Sequence, residues 1–261
     1  MKLYSAPLQG FTEAVWRNVH SSVFGGIDGY FTPFLRYEHG EIRSKDIRDV
    51  ERKNNTVPNL VPQIIAATPQ EMHPLMELVA REGYNRVDIN MGCSFPLEAG
   101  KKHGAGLLPH PDMVAALLDA AVGYKDFAFS VKMRLGWESK EEWRALLPAL
   151  NSAPLEHIAM HPRLGVEQYK KPADVEAFAE FLEACKHPVI YNGDVTSLAL
   201  EVIAHCFRLV LATGIFINRF SGGLSKAVGT TYGIYGVVFE AQLYVFGIEL
   251  YILVVDNALS V

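Results

Sequence analysis

The chain has 261 residues, of which 49% are hydrophobic, and this length and apolar content suit one large α/β domain. The formal net charge of −5 excludes binding of nucleic acid through a uniformly basic surface, although a local basic groove stays open. The cysteines show no metal-ligand or Cys-x-x-Cys spacing, and their number is odd. Because the first residues also lack a long apolar run, we expect a cytoplasmic protein with reduced thiols.

Apolar runs of strand length recur along the chain, separated by turn residues and helical patterns. We predict strands at residues 3–10, 29–37, 60–66, 87–91, 127–136, 157–163, 188–195 and 208–214. Helical patterns follow most of these strands, the last at 196–206, whereas the polar segment 38–59 is predicted to cross the surface. Strands that alternate with helices are joined by crossovers and are therefore parallel. A (β/α)8 barrel is the natural α/β architecture at this length, with an open doubly wound sheet as the alternative.

Capping residues predict where several of the helices begin. Thr12 precedes a helical pattern and is predicted to be its N-cap. Thr68 and Glu71 stand at the two positions of a capping box, with a proline between them at the first helical position. Ser139 is predicted to cap a further helix, whose first turn is acidic.

Polar side chains and one thiol stand at or just past the ends of several predicted strands. Asp88 and Asn90 interrupt the apolar run at 87–91, and Cys93 follows in a loop that becomes rich in glycine. Corresponding positions on other strands hold Gln63, Lys132, His161 and Asn192. Each residue also has a structural interpretation, such as a strand-end hydrogen bond or a buried histidine. Because the carboxyl ends of barrel strands surround the active site, their recurrence favours a functional site.

Seven stretches of the chain carry a resemblance to one enzyme family. They are APLQGFTEAVWR (6–17), VPQIIA (61–66), VDINMGC (87–93), GAGLL (104–108), VKMRLGW (131–137), MHPR (160–163) with Gln168 and Tyr169, and VIYNGDV (189–195). In this order they resemble the tRNA-dihydrouridine synthases, which are FMN enzymes on a (β/α)8 TIM barrel. The combination of Asp-x-Asn-x-Gly-Cys, Lys-x-Arg-Leu-Gly and Asn-Gly-Asp makes the resemblance specific.

The resemblance implies an activity for the chain and a binding or catalytic role for particular residues. The implied reaction reduces uridine in tRNA to 5,6-dihydrouridine, with hydride from reduced FMN and NADPH as the electron donor. The residues implied to bind FMN are Ala6, Pro7, Leu8, Gln63, Lys132, His161, Asn192, Gly193 and Asp194. Asn90 and Arg134 are implied to bind the substrate, and Cys93 is implied to be the general acid. A thiol suits that task because it is mostly protonated at neutral pH.

The resemblance ends after His205. The family carries Gly-Arg-Gly on the eighth strand and then a helical tRNA-binding domain, whereas this chain has Ala-Thr-Gly at 212–214 and an apolar tail. We therefore expect a barrel over 1–214 and an atypical hydrophobic segment over 215–261. The apolar run at 244–255 is long enough for a buried strand or helix but short for a bilayer span, so no membrane partner is expected.

The unusual tail leaves several interpretations open. It is a divergent closure of the barrel, a segment covered by a partner, or the product of a shifted reading frame. The alternatives for function are a flavin barrel that reduces a small free substrate and a non-catalytic remnant that no longer holds FMN.

Overall fold

The structure is a computed structural model that describes residues 2–194 and 250–255. Its strands are β1 (Leu3–Ser5), β2 (Gly29–Phe31), β3 (Leu35–Glu38), β4 (Glu41–Ile42), β5 (Leu60–Val61), β6 (Gln63–Ile65), β7 (Arg86–Met91), β8 (Ala128–Gly136), β9 (Leu155–Leu164), β10 (Val189–Asn192) and β11 (Leu250–Val255). Its α-helices are α1 (Ala14–Val23), α2 (Ser44–Val50), α3 (Pro69–Arg81), α4 (Pro96–Gly100), α5 (Pro111–Val122), α6 (Glu142–Ser152) and α7 (Val175–Ala184). Short 3-10 helices occupy Arg52–Asn54 and Gly104–Leu107.

The chain divides into two units, and the elements above belong to the first. This unit comprises residues 1–193 and 250–261, and the second comprises residues 194–249. Within the described part of the chain, no helix has the length and apolar character needed to cross a membrane.

One sheet joins all the described strands. Their order is β4-β3-β6-β7-β8-β9-β10-β11-β1-β2-β5, and the pairs from β6 to β10 are parallel, as are β1–β2, β2–β5 and β3–β6. Helices α3, α5, α6 and α7 lie between successive parallel strands in the chain. This alternation confirms the predicted α/β class and follows the pattern of a (β/α)8 TIM barrel.

Two of the predicted strands are each divided in two near a proline. Pro33 lies between β2 and β3, and Pro62 lies between β5 and β6. Proline cannot donate to a strand ladder, so each strand is interrupted there. After the second interruption the backbone N–H of Gln63 donates to the hydroxyl of Thr32 at 3.0 Å, while the Pro62 carbonyl accepts from Asp88 N–H at 2.9 Å. These bonds fix the position of Gln63 at the start of β6.

The strand that lies between β10 and β1 is not the one that the sequence predicts for this place. This place in the sheet belongs to β11, which comes from the predicted apolar run of the tail and runs antiparallel to both neighbours. Tyr251 is in register with Tyr4 on one side and Asn192 on the other. The predicted helix at 196–206 and strand at 208–214 lie outside the described residues.

Two of the predicted caps are wrong, whereas the capping box is confirmed. Thr68 accepts a hydrogen bond from the backbone of Glu71 at 3.3 Å, and α3 begins at the next residue. Helix α1 instead has Glu13 as its N-cap, because the Thr12 hydroxyl bonds the backbone of Leu8. Ser139 does not cap α6, which begins three residues later.

The carboxylate of Glu142 organises the turn before α6. It accepts hydrogen bonds from the backbone N–H groups of Trp137, Glu138 and Ser139 at 2.8–3.1 Å. A carboxylate competes well with a hydroxyl for N–H donors, since bonds to an ionised acceptor are stronger.

The segment 38–59 is more ordered than predicted. It contains β4, α2 and a 3-10 helix, and Val50 is fully buried. Arg17 of α1, also fully buried, forms an ion pair with Asp49 at 3.0 Å and donates to Asn55 at 2.8 Å. The segment is therefore packed against α1 by a buried charge and its partners.

Candidate functional site

A cavity of about 300 Å³ opens where the parallel strands end. Pro7 and Leu8, which follow β1, form part of its apolar wall. Its polar lining includes predicted site residues from several strands and their loops, namely Gln63, Asn90, Cys93, Lys132, Arg134 and His161. The structure therefore brings most of the predicted site residues together around one cavity.

The remaining predicted residues lie away from the cavity lining. Ala6 is buried in the core with 3% of its surface exposed. Asn192 is fully buried, and neither polar atom of its side chain has a hydrogen-bond partner within the described part of the chain. Gly193 has a φ of +133°, and a Cβ there would lie 3.2 Å from the ring of His161. Asp194 also has a positive φ, of 42°.

The backbone around Cys93 is held from two sides. The side-chain oxygen of Asn90 accepts hydrogen bonds from the N–H groups of Gly92 and Cys93 at 3.0 and 2.9 Å. On the other side, Ala105 N–H donates to the Cys93 carbonyl at 2.9 Å, and a Cβ on Gly104 would come within 2.7 Å of the Cys93 Cβ. Burial raises the pKa of the Cys93 thiol, which favours its protonated form.

A chain of buried polar side chains crosses the interior beneath the cavity. Asp88 accepts hydrogen bonds from Ser130 and from the Gln63 amide, both at 2.6 Å. The oxygen of Gln63 then accepts from the Asn90 amide at 2.8 Å. These residues share one face of the sheet, since Gln63 is in register with Asp88, and Asp88 with Ser130. The chain therefore connects β8, β7 and β6 to the backbone of Cys93.

Arg134 joins two loops that border the cavity. Its Nε donates to the Gly92 carbonyl at 3.0 Å, and its Nη1 donates to the carbonyls of Leu164 and Gln168 at 3.0 and 2.8 Å. Its guanidinium lies 5.3 Å from the centre of the Tyr169 ring. Arg134 is 1% exposed, so these bonds compensate its desolvation and link the Cys93 loop to the segment after β9.

His161 is uncharged in this environment. Burial, together with the positive charges of Lys132, Arg134 and Arg163, strongly lowers the pKa of its imidazole. Its Nε2 lies 2.8 Å from Nη1 of Arg163, which can only donate. The proton of the neutral ring is therefore assigned to Nδ1.

A charged cluster supports the glycine-rich loop from behind. His103 is buried between the carboxylates of Glu71 and Glu98, at 3.0 and 3.1 Å. Burial lowers the pKa of His103, but the hydrogen bonds and charges of the two carboxylates outweigh it and raise the pKa to about 9. Arg36 also pairs with Glu98, at 3.3 Å. His103 is therefore a cation at neutral pH, next in the chain to the glycine that packs on Cys93.

Some cavity residues were not assigned by sequence. Pro33 and Phe34 line the cavity, and neither was among the predicted site residues. Phe95 and Tyr169 also line it, each with 57% of its surface exposed. Tyr169 was among the residues of the resemblance, whereas no sequence signal marked Phe95 except its closeness to Cys93.

Known proteins resemble this chain over much of its length. The family model described as dihydrouridine synthase (Dus) matches residues 4–222. A probable tRNA-dihydrouridine synthase of Rhodobacter capsulatus is 34% identical over 53% of this chain and 44% of its own length. A probable tRNA-dihydrouridine synthase 2 of Bacillus subtilis is 30% identical over 83% of this chain and 69% of its own length. The tRNA-dihydrouridine(16) synthase of Neisseria meningitidis serogroup B is 27% identical over 83% of this chain and 68% of its own length.

These matches cover most of the chain but only part of each relative. Across the three relatives, the aligned share of the relative's own length runs from 44% to 69%. The matched range 4–222 includes the strands and loops that surround the cavity. The chain belongs to the dihydrouridine synthase family.

Proposed function

We propose that this protein reduces uridine in tRNA to 5,6-dihydrouridine, with FMN as its cofactor and Cys93 as the proton donor. One observation carries the proposal: the Cys93 thiol lies on the wall of the same cavity as Gln63, Lys132 and His161. Reduction of the uracil double bond requires a hydride on one carbon and a proton on its neighbour. A thiol and a set of polar groups suited to a flavin ring are therefore needed at one place.

The family is flavin-dependent, and the residues of the cavity fit FMN. The apolar wall at Pro7 and Leu8 suits one face of a planar ring system, and Gln63 offers an amide to its polar edge. Lys132 supplies a positive charge, which would stabilise negative charge on the reduced ring. When bound and reduced, FMN supplies the hydride for C6 of the uracil ring.

The strand end at β10 offers a second part of the same site. The fully buried amide of Asn192 lacks a partner within the described residues, and Gly193 permits a close backbone approach beside His161. A buried amide without a hydrogen bond is costly, so a bound polar group would stabilise it. We assign Asn192, Gly193 and Asp194 to the ribityl-phosphate end of FMN. Ala6 is buried, so we assign its contact with the cofactor to its backbone.

The protein groups around the substrate hold and deliver the proton. Because burial raises the pKa of Cys93, the thiol keeps its proton at neutral pH until C5 of the uracil accepts it. Asn90 and Arg134 line the cavity beside Cys93 and are proposed to contact the uracil. Both side chains also bond the Gly92 backbone, so they would orient the Cys93 loop as well as bind the uracil.

The rim of the cavity supports a nucleic-acid substrate. A uridine stacked inside folded tRNA must leave the stack to reach a buried flavin. Phe95 and Tyr169 stand exposed at the rim and offer ring faces on which a base could stack. We further propose NADPH as the electron donor and the cytoplasm as the compartment, which the odd number of cysteines supports.

The test uses the purified full chain supplied with FMN, NADPH and transcribed tRNA that lacks dihydrouridine. We expect flavin uptake, seen as visible absorption bands, and a mass increase of two hydrogens at a uridine of the tRNA. Free uridine in place of tRNA tests the alternative of a small substrate. Reduction of free uridine alone would contradict the tRNA assignment, and failure to take up FMN would support the non-catalytic alternative.

A further inference from the structure

The carboxylate of Asp88 has no contact with the cavity yet connects to it through two amides. Asp88 is 1% exposed and is absent from the cavity lining, whereas Gln63 and Asn90 belong to that lining. Its two oxygens accept from Ser130 and Gln63, both at 2.6 Å. Asp88 therefore reaches the cavity through the side chains that it holds and through its charge interaction with Lys132.

An ionised carboxylate imposes a direction on the amides beyond it. It can only accept, so the NH₂ group of Gln63 must face it and the Gln63 oxygen must face Asn90. The Asn90 NH₂ then donates to that oxygen at 2.8 Å, and the Asn90 oxygen faces the N–H groups of Gly92 and Cys93. If the Gln63 amide turned over, two NH₂ groups would face each other. The acceptor at residue 88 and the two backbone N–H groups beyond Asn90 therefore impose the same direction on the chain from its two ends.

We propose that Asp88 is a positioning residue that, through Gln63 and Asn90, fixes the orientation of the Cys93 backbone and of the amide that Gln63 presents to the cavity. The inference rests on the proposed function for its effect on turnover, but the positioning of Cys93 can be measured without turnover. Asp88 was noted in the sequence as a polar interruption of an apolar strand, and the structure assigns it this task.

The charge state of Asp88 supports the same conclusion. Burial raises its pKa to about 6, although the hydrogen bonds from Gln63 and Ser130 and the positive charge of Lys132 act in the opposite direction. Above pH 6 the carboxylate is ionised and accepts both bonds. Below that pH it gains a proton, which it can donate to the Ser130 hydroxyl, while the other oxygen still accepts from Gln63.

Two substitutions at this position separate positioning from packing. Asp88→Leu keeps the branching at Cγ, is larger and removes the acceptor, so the buried NH₂ group of Gln63 loses its partner. Asp88→Asn keeps an acceptor for Gln63, because the Ser130 hydroxyl can turn to accept from the new NH₂ group. Ser130→Ala is the matched control, since it removes the other hydrogen bond of Asp88 and leaves the bond to Gln63 in place.

The first readout is the alkylation rate of Cys93 by iodoacetamide, resolved by peptide mass spectrometry in the protein without tRNA or NADPH. Asp88→Leu should change this rate about five-fold or more, the equivalent of losing one hydrogen bond, whereas Asp88→Asn and Ser130→Ala should stay near wild type. Buried Cys185 is the internal reference. An unchanged Cys93 rate in folded Asp88→Leu protein, or an equal change in Ser130→Ala, would overturn the inference.

The second readout is the pH dependence of turnover on tRNA. Wild type below pH 6, where Asp88 is protonated, and Asp88→Asn at any pH should both keep kcat near that of wild type at pH 8, because each retains an acceptor for Gln63. Should Asp88→Leu fail to fold, this comparison still tests the inference, because a kcat in Asp88→Asn at least about five-fold below wild type would show that an acceptor at residue 88 is not sufficient. Wild-type protein without dihydrouridine synthesis would refute the proposed function alone, since the alkylation rates would still report on Asp88.

Discussion

Cys93 combines a position on the cavity wall with a thiol whose pKa burial raises. An acid with a raised pKa stays protonated over a wider pH range, so kcat should be flat through neutral pH. It should decline only at a more alkaline pH than a solvent-exposed cysteine would give. Cys93→Ala should lower kcat by about 100-fold or more while flavin binding is retained, since general acid catalysis contributes about 10²–10⁴-fold.

The measurement is the rate of reduced-flavin oxidation on mixing with tRNA, followed at several pH values. Cys185→Ala is the control, because Cys185 is a buried thiol at the end of α7 and is not among the residues that line the cavity. A Cys93→Ala variant that reacts at the wild-type rate would show that another group supplies the proton.

Gly104 packs directly on Cys93, and its conformation excludes other residues. Its φ is +56°, and a Cβ there would lie 2.7 Å from the Cβ and the carbonyl oxygen of Cys93. Gly104→Ala should therefore displace Cys93, lower kcat about 10-fold or more and destabilise the fold by about 1–3 kcal/mol. Gly100→Ala, where nothing lies within 4 Å, should leave both properties unchanged. Equal kcat and equal thermal stability in the two variants would contradict this packing role.

Residue types and their places in the strands were enough to predict most of the site residues, but not the hydrogen bonds that connect them. Gln63, Lys132 and His161 were found because each is a polar residue in an apolar strand, although the structure places Gln63 at the start of β6 and Lys132 in the middle of β8. The Asp88–Gln63 bond was not predicted, because it depends on the register between β6 and β7. Arg134 was predicted to bind substrate, and the structure adds its bonds to three backbone carbonyls. Those carbonyls belong to loops whose paths the sequence pattern does not specify.

At the scale of elements, His103 connects α3 to α4 through Glu71 and Glu98. Its pKa is about 9 in the folded protein and 6.5 when unperturbed, so the folded state binds the proton more tightly. The resulting stability is fully present below pH 6.5 and is lost as pH rises through 9. Wild-type unfolding free energy should therefore fall over this range, and His103→Gln should show a smaller fall.

Urea unfolding at pH 6.5 and pH 9 measures this difference. His73→Gln is the matched control, because His73 lies on the exposed face of the same helix α3 and pairs with Glu77 there. If His103→Gln kept the full wild-type decrease, another titrating group would be responsible. Equal pH dependence of the unfolding free energy in His103→Gln and His73→Gln would likewise show that the charged cluster around His103 is not its cause.

Helix and strand types were predictable because hydrophobic period and helix caps act locally. Thr68 and Glu71 form their capping box as predicted, since the interaction needs only neighbouring residues. Thr12 and Ser139 were wrongly predicted because other hydrogen bonds within the same turns compete with the predicted caps. The carboxylate of Glu142, for example, accepts the N–H groups of the turn before α6. Local propensity therefore determined the types of the elements, and competition among nearby hydrogen-bonding groups determined where they begin.

At the scale of the whole molecule, the sequence prediction differs most from the structure at the position between β10 and β1. A parallel eighth strand was expected at 208–214, whereas β11 takes this place in an antiparallel direction. Pairing partners far apart in sequence carry no local signal, and the apolar run at 244–255 was compatible with a strand or a helix. A buried apolar segment was thus predicted here, but its strand type, its neighbours and its direction were not.

The pairing of β11 makes a direct prediction about chain length. A chain ending at residue 249 would leave the backbone edges of β1 and β10 unpaired, and exposed strand edges promote self-association. A chain ending at residue 255 keeps every pairing of β11 with its neighbours. The shorter chain should therefore melt at a lower temperature, take up less FMN and form larger species in light scattering.

The longer truncation should match the full chain in all three measurements, which makes it the control for loss of tail residues in general. Asn192 provides the link to the site, because it lies at the end of β10 in register with Tyr251 of β11. Loss of β11 should therefore disturb the strand end that we assign to the ribityl-phosphate part of FMN. Equal FMN affinity and equal melting temperatures in the two truncations would mean that β11 does not support this side of the barrel.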